Sequence, residues 1–228
     1  LHGLGDAELP EPQMLPAGRA VDYLISEIMT RPGELIIVAM GPLTNLLLAE
    51  QKSPGILNCA RSVLAMGGAL WCDGNITKTS EFNSFADPHA LRQLIQADVE
   101  LTLVPLDITQ KLQLLESDIH AGLNGRKDAI ATFISDSTRS VIAYEKEHAN
   151  FPGLYLHDPA VAALIIEPAL FETKILWIDV DVSAENAGCT TVHDEGAEGA
   201  YPVEVAIDVD VDQFMLAFKH RVLGVNTA

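Results

Sequence analysis

The stretch whose residue types most clearly suggest chemistry is residues 66–83, which follows a short apolar run and begins Met-Gly-Gly. Five polar side chains follow closely: Asp73, Asn75, Thr77, Glu81 and Asn83. Amide donors and a carboxylate acceptor are the groups that hold a polyhydroxylated ligand. The same residue types also form plain surface loops, in which side chains bond their own backbone. Residue types alone therefore leave a ligand site and a polar loop as alternatives.

A second candidate is the dipeptide His157-Asp158, which precedes a proline and an apolar segment. An imidazole that titrates near neutral pH beside a carboxylate suits proton transfer. Asp158 is equally explained as the N-cap of the following helix, a role that the sequence also predicts for Asp87. His193-Asp194 repeats the dipeptide in a glycine-rich segment without an apolar helix after it, and we interpret it as solvated.

Several single residues at predicted strand ends have two interpretations each. Thr44 offers a hydroxyl or a main-chain carbonyl, but a hydroxyl that caps the adjacent helix is the simpler interpretation. Asp107, just before Thr109 and just past another strand, has a similar ambiguity. Met66 is a core residue by default. His2, close to the start of the sequence, is most simply part of a frayed end.

Composition restricts the class of protein. The 228 residues are 48% hydrophobic and 20% charged, with a formal net charge of −18, which indicates a soluble globular chain. The negative charge argues against nucleic acid or an anionic membrane surface as partner. Three cysteines without Cys-x-x-Cys spacing favour a reducing cytosol. The sequence contains no Gly-x-Ser-x-Gly, Walker or His-Glu-x-x-His motif, so those enzyme classes have no support.

The elements that must position these residues alternate between helix and strand. Periodicity predicts helices over residues 17–31, 46–51 and 88–97 and strands over residues 34–40, 62–66 and 99–105. Farther on it predicts mostly helix over 110–147, loop over 150–156, helix over 160–166, strands over 174–182 and 201–209 with a loop over 183–200 between them, and helix over 212–223.

This alternation predicts an α/β fold with an open, mostly parallel, Rossmann-like sheet and helices on both faces, in a single domain over residues 1–228. Ligands of such sheets bind beyond the carboxyl ends of the strands. The strand-end loops at 41–45, 67–83 and 106–109, together with the segment that contains His157-Asp158, would meet at that edge. The pattern alone does not name the ligand.

Three motifs carry a resemblance to a known family. Gly-Pro-Leu-Thr-Asn at 41–45, Met-Gly-Gly…Gly-Asn…Glu-Phe-Asn…Asp-Pro at 66–88 and His-Asp-Pro at 157–159 resemble, in order and spacing, the inosine–uridine-preferring nucleoside hydrolases. The resemblance implies an open α/β fold with a tightly bound Ca²⁺. It also implies cleavage of the N-glycosidic bond of ribonucleosides to ribose and free base.

The resemblance also implies roles for individual residues. On the metal side it implies Asp158 as a carboxylate ligand of Ca²⁺ and Thr44 as a main-chain carbonyl ligand. On the base side it implies His157 near the leaving base and His2 as a second histidine. The residues implied around the ribose are Met66, which lines the pocket, and Asn75, Glu81 and Asn83, which bind the hydroxyls.

One departure from the family pattern is large. The family's acidic motif, Asp-x-Asp-Pro-Gly-x-Asp-Asp, supplies most of the calcium carboxylates and does not occur in these 228 residues. We therefore expect the domain to be N-terminally incomplete, with weak Ca²⁺ binding and little turnover by this chain alone. A non-catalytic ribose- or nucleoside-binding protein is the alternative, and a plain scaffold is a third possibility.

The resemblance suggests partners for the chain, but the base preference stays open. The resemblance suggests a cytoplasmic homodimer or homotetramer that acts on a small ribonucleoside in nucleoside salvage. Four aromatic side chains ahead of His157 are candidates for stacking on the base, although aromatic residues at helical spacing are more often core. These four are Tyr144, His148, Phe151 and Tyr155. The sequence leaves a purine, a pyrimidine or a broad preference open.

Overall fold

The computed structural model describes residues 4, 5, 7, 8, 18–97 and 99–225. The chain divides into two compact units. The sheet unit comprises Ala17–Thr109 and His157–Val209, and the helical unit comprises Leu1–Pro16, Gln110–Leu156 and Asp210–Ala228. The single domain that the sequence predicts over residues 1–228 stays a prediction.

The elements follow one another along the described chain as strands and helices. The strands are β1 (Ile36–Ala39), β2 (Ser62–Met66), β3 (Leu101–Val104), β4 (Gln113–Leu115), β5 (Gly153–Tyr155), β6 (Phe171–Val180), β7 (Thr190–His193) and β8 (Tyr201–Val209). The helices are α1 (Ala20–Thr30), α2 (Thr44–Lys52), α3 (Phe82–Ala86), α4 (Pro88–Gln96), α5 (Leu106–Thr109), α6 (Glu116–Leu123), α7 (Ala129–Ala149), α8 (His157–Ile166) and α9 (Val211–Phe218).

The sheet unit contains a six-stranded sheet in the order β1-β2-β3-β8-β6-β7. The first four strands in this order are parallel, whereas β6 and β7 run antiparallel to their neighbours. The predicted open, mostly parallel sheet is therefore confirmed. Met66 of β2 lies beside Val104 of β3, so these two strands end level and their following loops start at the same edge.

The two faces of β2 pack against different helices because successive side chains of a strand point to opposite faces. Val63 and Ala65 belong to the main core with Leu91 and Leu94 of α4. On the other face, α8 packs against β2. Burial of these aliphatic side chains is the main stabilising term for the unit, at about 25 cal/mol per Å² of apolar surface.

Three short strands were not predicted. The segments expected to be helix around residue 113 and loop around residue 153 form the antiparallel pair β4–β5, and the expected loop over 183–200 contains β7. Strands of three or four residues are too short to show a period. β7 is also an edge strand flanked by glycines and acidic residues, so its sequence resembles a loop.

The helical unit buries apolar side chains such as Leu112, Ile119 and Phe214, and polar contacts connect its segments. Arg126 pairs with Asp128 and donates to the carbonyl of Leu223 at 2.9 Å, which ties the start of α7 to the π-helical turn Lys219–Leu223. Asn150 ends α7 with a φ of 52°, a left-handed conformation that asparagine tolerates. Among the described residues, no helix combines the length and hydropathy needed to cross a membrane.

Candidate active site

The loop that leaves β2 turns sharply at two glycines. Gly68 has a φ of +89°, and a Cβ there would lie 3.4 Å from the hydroxyl of Thr190. A Cβ on Gly74 would lie only 2.2 Å from the carbonyl oxygen of Ser80. No other residue fits these positions without rearrangement. The loop is therefore folded back on itself between 74 and 80, and it presents Asn75 on its exposed side.

Glu81 organises this loop from within. Its side chain is 1% exposed. The carboxylate accepts main-chain N–H bonds from Asn83 at 2.8 Å, Ser84 at 2.9 Å and Gly68 at 3.3 Å. It is thus the N-cap of α3 and also holds the glycine turn. Burial raises the pKa of Glu81, although these three N–H groups act in the opposite direction.

The two asparagines are also engaged by the loop, each through part of its amide. Asn83 is buried and donates from Nδ2 to the carbonyl of Met66 at 3.1 Å, at the end of β2. Asn75 accepts the N–H of Phe82 on Oδ1 at 2.8 Å. An amide has donors and an acceptor, so these bonds leave the other half of each group for a ligand. The predicted sugar-side residues therefore lie together at the end of β2, in the loop that follows it and in the first turn of α3.

A residue far along the chain fixes the same loop and was not predicted. Thr190 of β7 is 2% exposed, and its hydroxyl accepts the N–H of Ala69 and donates to the carbonyl of Ala69, both at 3.0 Å. These residues are 121 positions apart. No local pattern could have revealed the pair, since it depends on where β7 lies in the sheet.

His157 is the first residue of α8 and is half-buried. Its Nδ1 lies 2.7 Å from the hydroxyl of Thr109, the last residue of α5, and Thr109 is fully buried. This bond fixes the orientation of the imidazole ring. Burial lowers the pKa of His157 to about 4.

Asp158 is the second residue of α8, so it does not occupy the N-cap position that the sequence left as an alternative. Its side chain is exposed. A carboxylate in the first turn of a helix interacts favourably with the helix dipole. The surrounding protein still withdraws part of the carboxyl group from water and raises the pKa of Asp158.

The hydroxyl of Thr44 makes a contact that the sequence does not predict. Thr44 is the first residue of α2, and its hydroxyl donates to Asp87, the N-cap of α4. A carbonyl at the start of an α-helix accepts an N–H four residues on. A carbonyl oxygen has a second lone pair, so the metal role of Thr44 stays a prediction. His2 lies outside the described residues.

The described residues do not by themselves provide a complete cation site. No group of three or more His, Cys, Asp or Glu among them is arranged to hold a metal ion. Ca²⁺ takes six to eight oxygen ligands, several of them carboxylates. Asp158 is thus one suitable carboxylate rather than a complete ligand set.

The loop at residues 67–83, called the sugar-side loop here, and α8 are linked through α5. Leu106 of α5 donates to the carbonyl of Gly68 at 2.9 Å, and Thr109 of α5 bonds His157. The loop and α8 are therefore each joined to α5 by one hydrogen bond. The arrangement places hydrogen-bonding amides, a titratable ring and an exposed carboxylate along one edge of the sheet, where they suit a small polyhydroxylated ligand.

The four aromatic candidates for base stacking lie in the helical unit, where they form two pairs. Tyr144 stacks on His148 with ring centroids 4.1 Å apart, and Phe151 stacks on Tyr155 at 4.8 Å. Such pairs stabilise the local structure. A role in base binding stays a prediction for each of them.

Three comparisons with known proteins agree. A family model described as inosine-uridine preferring nucleoside hydrolase matches residues 1–216. The chain is 29% identical to uridine nucleosidase 1 of Arabidopsis thaliana over 232 residues, which cover 97% of this chain and 68% of that protein. The solved structure of a plant nucleoside hydrolase has a TM-score of 0.90 at 26% identity, covering 98% of this chain and 73% of that chain. A purine-preferring ribonucleoside hydrolase from Gardnerella vaginalis has a TM-score of 0.85 at 30% identity, covering 97% and 71%.

Proposed function

The chain belongs to the inosine-uridine preferring nucleoside hydrolase family, and from this we infer that its reaction is hydrolysis of the N-glycosidic bond of a ribonucleoside to ribose and free base. The observation that carries the assignment of the site is the loop between β2 and α3. Asn75 lies on its exposed side, Glu81 is buried at its end, and Asn83 in the first turn of α3 bonds the carbonyl of Met66.

The ribose is bound by this loop. The amide groups of Asn75 and Asn83 hydrogen-bond its hydroxyls with the donors and acceptors that the loop leaves open. Met66 is almost fully buried and forms the apolar floor with its thioether. Glu81 keeps the start of α3, with Asn83, and the glycine turn in place through its three main-chain bonds. Holding the sugar in a fixed orientation lowers the entropic part of the barrier.

The bond cleavage requires one water molecule. The water oxygen adds to the anomeric carbon, the C–N bond breaks with its electron pair going to the base, and the base gains a proton in exchange for the one that the water loses. Positive charge develops on the sugar, and the carboxylate of Asp158 stabilises it. His157, held by Thr109, faces the departing base.

Ca²⁺ is the metal that we assign to this site, with Asp158 as its ligand among the described residues. When bound, Ca²⁺ would lower the pKa of a coordinated water and bind ribose hydroxyls. The described residues hold no group of three His, Cys, Asp or Glu side chains that could bind it, so Asp158 would supply only part of its coordination.

The biological setting is part of the same proposal. Cys59, Cys72 and Cys189 form no disulfide, which supports a cytoplasmic location. The net charge of −18 supports a small-molecule substrate over a nucleic acid. We assign a homodimer or homotetramer that acts in nucleoside salvage. The named relatives differ between uridine and purine substrates, so no base preference is proposed.

Release of free base from uridine and inosine tests the proposal. The protein expressed from its natural reading frame is incubated with 1 equivalent or more of Ca²⁺, and the base is quantified by liquid chromatography. We expect steady base release that falls by about 100-fold or more on chelation of the metal and recovers when Ca²⁺ is restored. A 2′-deoxynucleoside, which lacks one hydroxyl, should react much more slowly.

Two outcomes would contradict the assignment. Saturable nucleoside binding without base release would establish the non-catalytic binding protein instead. Release that persists unchanged in the presence of the chelator would exclude Ca²⁺ as the cofactor. Neither result depends on which base the enzyme prefers.

A further inference from the structure

The turn α5 contacts both parts of the candidate site, and its second residue is not used by the mechanism above. Asp107 follows Leu106, which bonds the carbonyl of Gly68, and precedes Thr109, which bonds His157. The side chain of Asp107 is half-buried. It is therefore placed where one short element reaches the sugar-side loop and α8.

Both carboxylate oxygens of Asp107 are engaged by the loop. Oδ2 accepts the main-chain N–H of Leu70 and Oδ1 accepts that of Trp71, each at 2.8 Å. Hydrogen bonds to an ionised acceptor are roughly twice as strong as neutral ones. Two consecutive N–H groups on one carboxylate fix the direction of the backbone as well as its position.

A thiol adds a third contact to the same carboxylate. Burial, together with the charge of Asp107 and a hydrogen bond to it, raises the pKa of Cys72 to about 12. The thiol therefore stays protonated and donates. Leu70, Trp71 and Cys72 thus form a continuous segment held by one side chain.

This segment connects the glycine turn to the part of the loop that binds sugar. Before it, Glu81 holds Gly68 and Thr190 holds Ala69. After it, the chain closes the 74–80 turn through the Gly74 N–H bond to Lys78 at 2.9 Å. No regular secondary structure supports residues 70–73, so Asp107 sets where the chain enters the turn that carries Asn75.

We propose that Asp107 is a positioning residue for nucleoside hydrolysis: it fixes the 70–72 backbone, and with Thr109 it makes α5 the common support of the ribose-binding loop and His157. The proposal rests on the proposed function. It assigns Asp107 no contact with substrate, and its effect is transmitted through the main chain.

The test is Asp107→Asn, which keeps the size of the side chain but replaces one acceptor oxygen with an NH₂ group that faces a main-chain N–H. We expect faster amide hydrogen exchange at Leu70 and Trp71 in the absence of nucleoside. We also expect KM for uridine and inosine to rise about tenfold, with a smaller change in kcat. Asp107→Glu, which retains the charge, should restore part of the lost kcat/KM.

Asp210→Asn is the matched control. Asp210 also accepts one main-chain N–H, that of Gln213 at 3.0 Å, as the N-cap of α9. The Asp210→Asn substitution should leave KM unchanged even if it lowers the melting temperature as much as Asp107→Asn does. A KM that rises equally in both variants would show that general destabilisation is the cause and would overturn the proposal.

Amide hydrogen exchange and the kinetics of base release together separate this proposal from the proposed function. Faster exchange with unchanged kinetics would reduce Asp107 to a structural residue, and unchanged exchange would show that it does not hold the loop. Either result overturns the proposal while nucleoside hydrolysis stands. A wild-type protein that releases no base would refute the proposed function and with it the catalytic part of the proposal, and the exchange data would still decide whether Asp107 holds the loop.

Discussion

Replacement of Glu81 by glutamine should destabilise the protein by roughly 3 kcal/mol and lower kcat/KM for nucleosides by on the order of 100-fold. The carboxylate accepts three main-chain N–H groups, whereas the amide of glutamine has one acceptor oxygen. Its NH₂ group would face an N–H donor, and at least one buried donor would lose its partner. Urea unfolding gives the stability change, and base release gives the kinetic change.

Glu204→Gln is the control for this substitution. Glu204 is half-buried in the same unit, but it accepts from the hydroxyls of Thr102 and Thr173. Hydroxyl groups can rotate and accept from the new NH₂ group, so we expect a loss under about 1 kcal/mol and unchanged kinetics. Equal effects of the two substitutions would show that Glu81 has no special role in the loop.

The pH dependence of stability distinguishes the protonated form of the Glu81 carboxyl group from the ionised form. Because burial raises its folded pKa above the ordinary value of 4.5, the stability that this group contributes is fully present below pH 4.5. It is lost as the pH rises through the folded pKa. The difference in unfolding free energy between wild type and Glu81→Gln should therefore be larger near pH 4.5 than at pH 7. A difference that grows toward pH 7 would contradict this picture.

Replacement of Asp158 by asparagine should lower kcat/KM by about 1,000-fold with little change in stability. The side chain is exposed in the first turn of α8, so its loss removes only a dipole interaction of about 0.3–1 kcal/mol. In the proposed mechanism its negative charge stabilises the charge on the sugar and ligates Ca²⁺, so the substitution removes both contributions. Calorimetric titration with Ca²⁺ should show weaker binding in the variant.

Asp212 offers a matched position for comparison. It is likewise an exposed aspartate in the first turn of a helix, α9. Asp212→Asn should cost the same few tenths of a kcal/mol and leave kcat/KM and Ca²⁺ affinity unchanged. If Asp158→Asn retains kcat/KM within about threefold of wild type, Asp158 serves only the helix dipole, and its role in the reaction is excluded.

The sequence predicts the central strands well because their patterns are local. β2 and β8 are predicted with the bounds that the structure has, Ser62–Met66 and Tyr201–Val209, since β2 is an apolar run and only Glu204 and Asp208 interrupt the apolar residues of β8. The directions of β6 and β7 were not predictable, because strand direction depends on which strand is the neighbour. The pair β4–β5 has three residues a strand, too few for any period.

The candidate site shows a similar division. Residue types alone pointed to Asn75, Glu81 and Asn83, and the structure places them in the loop after β2 and the first turn of α3. The internal bonds of that loop were not predictable. The cap of α3 is local, since Glu81 accepts from Asn83 and Ser84, but its third bond requires the turn at Gly68 to return to it. Thr190 reaches Ala69 only because of the fold of the whole sheet.

Asp107 combines a position that the sequence predicts with contacts that it does not predict. Its position just after a strand makes it a candidate site residue, but the sequence cannot distinguish a ligand-binding carboxylate from one that bonds the backbone. Only the two 2.8 Å bonds to Leu70 and Trp71 separate these alternatives.

The most direct measurement is a crystal structure of the protein with ribose and Ca²⁺, since ribose is common to all nucleosides and needs no knowledge of the base. Ribose hydroxyls should lie within hydrogen-bonding distance of the side chains of Asn75 and Asn83, with the ring on the same side as Asp158. Ribose seated elsewhere, such as in the hollow of about 310 Å³ beside Glu204 and Phe171, would contradict the account.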